Sequence, residues 1–244
     1  MKRLRSAIGF LTVIPVPPSL TADNAGAVIA AVPFFPLVGA LIGLTAAVLD
    51  RGLSAALPAW PAAAISIGVL AAASGALHLD GLADTADGFL SARPREQILR
   101  IMKDSHIGTM GVLALIFVIV LKIACLAAMP ANTRLAALFL APLTGRGAIL
   151  AMLAWLPYAR PEGGLARDFF GSVSRRRLLL TGAGLAIAAI FVARLHGLTA
   201  VLAAVLAVTL LCRICQRRIG GGTGDTLGAA CELAETMVLL VMAA

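Results

Sequence analysis

The chain has 244 residues, 60% of them hydrophobic and only 13% charged, with a formal net charge of +8. Soluble domains carry about 25% charged residues, so this composition excludes an ordinary soluble fold. The basic excess lacks the interleaved aromatic rings that single-stranded nucleic acid needs, so no nucleic-acid partner is expected; it points to membrane orientation and to anionic partners such as phosphates or lipid head groups.

Apolar runs long enough to cross a bilayer recur along the sequence. In lipid only helices or closed barrels satisfy the backbone, and these runs show no period-2 alternation. The expected fold is therefore an all-α, polytopic integral-membrane helical bundle, a single membrane-embedded domain over residues 1–244.

The basic start, Met1–Arg5, is followed by the short apolar stretch Ala7–Val16, which Pro15, Pro17 and Pro18 interrupt or end. No small-residue cleavage pattern follows, so an interfacial segment is expected rather than a signal peptide. Candidate spans are 28–49, 59–79, 108–128, 135–156, 178–194, 198–212 and 228–244. The fifth and sixth are short and meet at Arg194-Leu-His-Gly197, so the expected count is seven, with six as the alternative. With the N-terminus in the cytoplasm, 15 of the 20 basic residues fall on the inside and only Arg51, Arg134 and Arg194 outside, while Lys122 and Arg146 lie within spans. That asymmetry sets the N-terminus in and the C-terminus out. Gly39-x-x-x-Gly43 fits a close helix contact. Cys212-x-x-Cys215 has no partner pair or nearby histidine, so Cys125, Cys212, Cys215 and Cys231 are expected to be reduced thiols.

The chemistry concentrates at the cytoplasmic side. His78–Ser91 carries Asp80, Asp84 and Asp87 in a chain with 12 acidic residues. On a helix these three share one face within roughly 60°. Clustered carboxylates persist only if protonated, paired with cations or bound to metal; the alternative is an acidic helix end facing water. A second stretch, Gly220–Gly222, Thr223, Gly224 and Asp225, is a glycine-rich loop opening a helix, a setting in which backbone N–H groups can cradle phosphate. It lacks the Lys-Ser or Lys-Thr of a Walker A loop. Glu232 and Glu235 follow inside an apolar span, where ionisable groups are functional candidates. Their alternative is a salt bridge to Lys122 or Arg146.

Seven of the twelve acids therefore fall in or near three stretches of one membrane side: Asp80, Asp84, Asp87, Asp104, Asp225, Glu232 and Glu235. Lys103, Arg93, Arg95 and Arg146 are interleaved with them. Hard oxygen ligands beside cations suit Mg²⁺ or Mn²⁺ on a diphosphate, and hence phosphoryl transfer. His78 and His106 are acid–base candidates, with a structural hydrogen-bonding role as the alternative; His196 falls on the opposite side.

His78-Leu-Asp-Gly-Leu-Ala-Asp-Thr-Ala-Asp-Gly88 resembles the signature of the cobalamin synthase (adenosylcobinamide-GDP ribazoletransferase) family. The resemblance extends to Phe10-Leu-Thr-x-Ile-Pro-x-Pro17, Pro36–Gly39, Met102–Ser105 with Gly108 and Gly111, Pro157–Arg160 with Gly163–Leu165, and Gly221–Gly228 with Glu232 and Glu235. It implies a multi-pass enzyme of the cytoplasmic (inner) membrane with its catalytic site facing the cytoplasm, dependent on Mg²⁺. Such an enzyme joins adenosylcobinamide-GDP to α-ribazole or α-ribazole 5′-phosphate and releases GMP. Laid onto these residues, Asp80, Asp84, Asp87, Asp225 and Glu235 are expected to be catalytic. The same five with Glu232 are expected to hold metal, and one of the first three is a candidate to take the hydroxyl proton. His78, Arg93, Lys103, Asp104, His106, Arg146, Gly222, Thr223 and Gly224 are expected to bind substrate. The bilayer is the constant partner, and a homo-oligomer is allowed for.

Two other readings compete. A CDP-alcohol phosphotransferase carries Asp-Gly-x-x-Ala-Arg followed by spaced aspartates, and Asp80-Gly81-Leu-Ala-Asp84 lacks the Ala-Arg pair. A transporter would place its acids mid-membrane on broken helices in matched halves, which the sequence does not show.

Overall fold

The computed structural model describes residues 2–17, 28–164 and 166–244. Met1, Pro18 and Leu165, each named in the motifs above, lie outside the described residues. Among the described residues there are nine α-helices and no β-sheet: α1 (Lys2–Leu11), α2 (Phe35–Ala56), α3 (Ala59–Ala73), α4 (Leu77–Leu90), α5 (Arg95–Ile101), α6 (Thr109–Ala128), α7 (Ala131–Trp155), α8 (Arg175–Ile219) and α9 (Gly224–Ala243). The expected all-helical membrane bundle is what the chain forms.

Prolines and glycines set the boundaries. Pro36 occupies the first turn of α2, Pro130 precedes α7, and Pro157 follows its end. These are positions where the missing N–H costs little or where a helix must stop. Helix α7 is the axis of the bundle. Every residue from Leu140 to Leu150 is buried, as expected of a helix surrounded by others. It packs on α2, α8 and α9. Gly39 and Gly43 of α2 lie on its backbone, and a Cβ at Gly39 would come within 2.2 Å of the Pro142 carbonyl. In contrast, α6 turns Ile116, Phe117 and Val120 outward, toward lipid.

Five helices are long and apolar enough to cross a membrane, or six if α3 and α4 count as one span. The expected spans 178–194 and 198–212 differ only in running into each other within one 45-residue element; counted as its two limbs, they bring the total to the expected seven. That element breaks at Ala193 and Arg194, where Arg194 takes φ +53°. In a straight helix residues 189 and 197 would be about 12 Å apart. Here a Cβ on Gly197 would meet the Ala189 carbonyl oxygen at 2.5 Å, so α8 doubles back at this point.

The second expected span, 59–79, also differs. It ends at Ala73, and α4 leaves at 89° to α3 through Ser74, Gly75 and Ala76, the last two with φ +59°. The break brings α4 across one end of the bundle. That end also holds α1, α5, the 102–108 loop, residues 157–164 and 166–174, and the α8–α9 junction. The hairpin tip of α8 lies at the other end, where His196 Nε2 meets the Val241 carbonyl at 2.8 Å. A buried pair, Asp50 with Arg134, ties α2 to α7 away from the α4 crossing, and Ser66 of α3 donates to Asp50 at 2.8 Å. The four cysteines are free and buried.

Candidate active site

Helices α4 and α9 cross at van der Waals contact because both present glycine. A Cβ on Gly81 would stand 2.6 Å from the Asp225 carbonyl oxygen, and one on Gly228 would stand 3.0 Å from that of His78. The crossing brings residues 144 positions apart in sequence to the same place. Asp80 and Asp225 line one cavity of about 510 Å³, and the charges of Asp80, Asp87 and Asp225 all act on half-buried Asp84.

The glycine loop is held rigidly. Gly220 ends α8 at φ +74°, and Gly221 lies against Pro157, where a Cβ would meet the carbonyl oxygen at 2.2 Å. Gly222 donates to the Pro157 carbonyl at 2.8 Å and accepts from Ala159 at 2.9 Å, an isolated parallel bridge. Thr223 and Thr226 close a reciprocal capping box on α9. The N–H groups of Gly222 and Thr223 are thus used within the protein. Gly224 and Asp225 hold the first helical positions, whose N–H groups have no intrahelical carbonyl to reach.

The same bridge delivers Arg160. Its Nη2 donates to Asp225 Oδ2 at 2.6 Å and to the Met102 carbonyl at 3.3 Å. Arg95 clamps the base of this assembly, donating to the Ile219 and Ala159 carbonyls at 2.8 and 3.0 Å. One cavity wall is aromatic: Phe10 of α1 stacks on Phe35 and Phe169 with centroids 5.8 and 5.4 Å apart. Tyr158 also lines the cavity.

The three aspartates of α4 share the expected helix but not one task. Asp80 is exposed at the cavity. Asp87 accepts from the Gly108 and Gly111 N–H groups at 2.7 and 2.8 Å, one on each oxygen, and so caps α6. A Cβ on either glycine would stand 2.4 Å from that carboxylate.

Glu232 and Glu235 are not at the aspartate crossing. A rise of about 1.5 Å per residue puts them roughly 10 and 15 Å along α9 from Asp225. Lys122 Nζ donates to Glu232 at 2.6 Å and to Glu235 at 2.8 Å, and Arg146 pairs with the other oxygen of Glu235. All four are buried. Two cations and two anions cancel, which is how charges persist inside a bundle. The salt bridges considered from sequence are therefore formed, and Arg146 faces this network rather than the 510 Å³ cavity. His78, also buried, lines that cavity while lying near Arg146, Glu235 and Lys122.

Arg93, Lys103, Asp104 and His106 are exposed and are not among the residues lining the cavity. His106 Nδ1 lies 2.7 Å from Asp104, and this hydrogen bond holds the Asp104 carboxyl below its usual range.

Sequence reasoning grouped Tyr158 and Arg160 in a motif without giving either a task, and nothing in the pattern brought Phe10 to the cavity.

Whether these donors fit Mg²⁺ can be judged from their chemistry. Among the described residues, no three histidine, cysteine or acidic side chains form a cage that would hold a metal by themselves. Mg²⁺ commonly takes one or two carboxylates and completes its octahedron with water and phosphate. Asp80 and Asp225, which line one cavity, fit such a shared site, with Asp84 close enough for its charge to couple to both.

The fold and the cavity define a class: a multi-pass helical membrane protein with a carboxylate- and arginine-lined pocket at one end. A family model described as cobalamin-5-phosphate synthase matches residues 3–243, and the chain belongs to that family. It is 41% identical over 211 residues to the adenosylcobinamide-GDP ribazoletransferase of Escherichia coli O17:K52:H18, covering 85% of each chain. The enzymes of the same name from Citrobacter koseri and Shigella flexneri are 41% and 42% identical over the same shares. No solved structure matches.

Proposed function

We propose that this protein is an adenosylcobinamide-GDP ribazoletransferase. It joins adenosylcobinamide-GDP to α-ribazole or α-ribazole 5′-phosphate, forming adenosylcobalamin or its 5′-phosphate and releasing GMP. The acceptor's ribose 3′-hydroxyl oxygen bonds to the phosphorus carried by the corrinoid arm. The bond from that phosphorus to the bridging oxygen breaks, and the oxygen leaves with GMP. The family membership supports this reading, and one structural observation carries it: Asp80 of α4 and Asp225 of α9 line a single cavity.

A cavity of about 510 Å³ is within the usual range for a small-molecule site. It has room for the diphosphate and an attached nucleoside, while the corrinoid occupies the open mouth. The aromatic wall suits a flat base. Asp80, Asp84 and Asp225 would hold Mg²⁺, which supplies charge neutralisation on the diphosphate. Asp80, the exposed carboxylate of α4, is placed to accept the hydroxyl proton. Lys103 and Arg93, exposed on the segments flanking α5, would draw the anionic substrate inward. Asp87 and the Lys122–Glu232–Glu235–Arg146 network position α4, α6 and α9. The distribution of basic residues supports a site facing the cytoplasm, in keeping with a multi-pass protein of the inner membrane.

The test is product formation by purified protein in detergent. Adenosylcobinamide-GDP and α-ribazole with Mg²⁺ should yield GMP and cobalamin in equal amounts. Turnover of CDP-diacylglycerol instead, or no GMP at all, would contradict the proposal.

A further inference from the structure

Among the described residues, Arg160 is the one arginine or lysine lining the 510 Å³ cavity, where Asp80 and Asp225 supply two negative charges. Its backbone is fixed by the Tyr158–Gly222 bridge, so the guanidinium is aimed rather than free to wander. Nη2 is shared between Asp225 Oδ2 and the Met102 carbonyl, while Nε is buried without a hydrogen-bond partner among the described residues. A guanidinium with a buried, unused donor is incompletely satisfied, and arginine's planar fork matches phosphate oxygens as well as it matches carboxylate.

A diphosphate entering this cavity meets two carboxylates. Without rearrangement the one cation is already spent on Asp225. The Arg160–Asp225 pair retains some solvent, with side chains 14% and 21% exposed, so exchanging partners does not require a fully buried charge to be stripped. The exchange conserves charge pairing at Arg160, uses the idle Nε, and releases Asp225 Oδ2 from its cation, leaving it the Thr223 hydroxyl at 3.2 Å.

Building on the ribazoletransferase reading, we propose that Arg160 is the diphosphate-binding residue of this cavity and that it changes partners. It holds Asp225 before substrate arrives and the diphosphate afterwards, leaving the Asp225 carboxylate open to the divalent cation. Asp225 is then a competitor for Arg160 when no metal is present, which gives the two residues opposite signs in binding.

The experiment is GDP binding to the full-length protein in detergent, measured calorimetrically in excess EDTA and repeated with Mg²⁺. In EDTA, Arg160→Ala should weaken GDP binding about tenfold or more, the scale of a charge-assisted hydrogen bond. Arg160→Lys, which keeps the charge but not the fork, should fall between. Asp225→Asn should tighten GDP binding severalfold in EDTA and weaken it in Mg²⁺. A purely structural pair would make Asp225→Asn and Arg160→Ala lose binding together. That result, or wild-type affinity in both Arg160 variants, overturns the exchange while leaving the reaction standing. Wild-type protein that binds neither GDP nor adenosylcobinamide-GDP under any of these conditions overturns both.

Discussion

Gly81 and Asp225 touch through their backbones, with room for hydrogen but not for a methyl group: a Cβ at residue 81 would be 2.6 Å from the Asp225 carbonyl oxygen. That contact places the aspartates of α4 beside the aspartate of α9. Gly81→Ala must push the helices apart, a strain of about 1–3 kcal/mol. The variant should insert and remain folded but lose at least tenfold in turnover, because misplacement by about 1 Å is enough to cost that much. GMP release at equal protein concentration measures it. Unchanged turnover would show that the crossing does not set the reacting geometry.

Lys122 should matter for stability rather than for chemistry. It is the common partner of Glu232 and Glu235. Lys122→Met leaves Glu232 buried and unpaired, which costs about 3–5 kcal/mol. At this chain length that corresponds to a fall in Tm of roughly 10 °C. The double variant Lys122→Met/Glu232→Gln keeps the Arg146–Glu235 pair and should recover most of the loss. Thermal unfolding in detergent decides the point, and a double variant no more stable than the single would contradict this account of the network.

Asp87 and Asp80 should separate in the same way. Both oxygens of Asp87 cap α6. Asp87→Asn keeps one acceptor and should lower stability by about 1 kcal/mol, the usual scale of a lost cap. Its turnover should fall far less than that of Asp80→Asn, which removes a carboxylate from the cavity with little effect on Tm. Equal losses of turnover at equal stability would return Asp87 to the reacting group.

Much of the architecture was legible because lipid leaves little choice. The continuous apolar runs of α2, α6, α7 and α9 read directly as helices, and the basic residues grouped the acidic stretches on one side. The bend at Ser74–Ala76 was not legible, since Ala76 in a left-handed conformation has no sequence signature. The α8 hairpin was visible as two short spans around Gly197, and the break at Ala193 and Arg194 separates its two limbs. In the site, Asp80, Asp84 and Asp225 were marked by their scarcity in an apolar chain. Periodicity on α9 could not separate Asp225 from Glu232 and Glu235, because residues on one face still differ by 10–15 Å in depth. Only the positions of Lys122 and Arg146 on neighbouring helices tell which acids are neutralised. Arg160 was hidden for the converse reason: it sits in a loop, and its partner is set by the Gly222 bridge.

The central claim is that carboxylates at the α4–α9 crossing, and not the glutamates further along α9, hold the divalent cation. The most direct test is Mn²⁺ binding by electron paramagnetic resonance in the presence of GDP. The account predicts that wild-type protein binds Mn²⁺, that Asp80→Asn/Asp225→Asn loses it, and that Lys122→Met/Glu232→Gln retains it. Mn²⁺ binding that survives loss of Asp80 and Asp225 but disappears with Glu232 would contradict it.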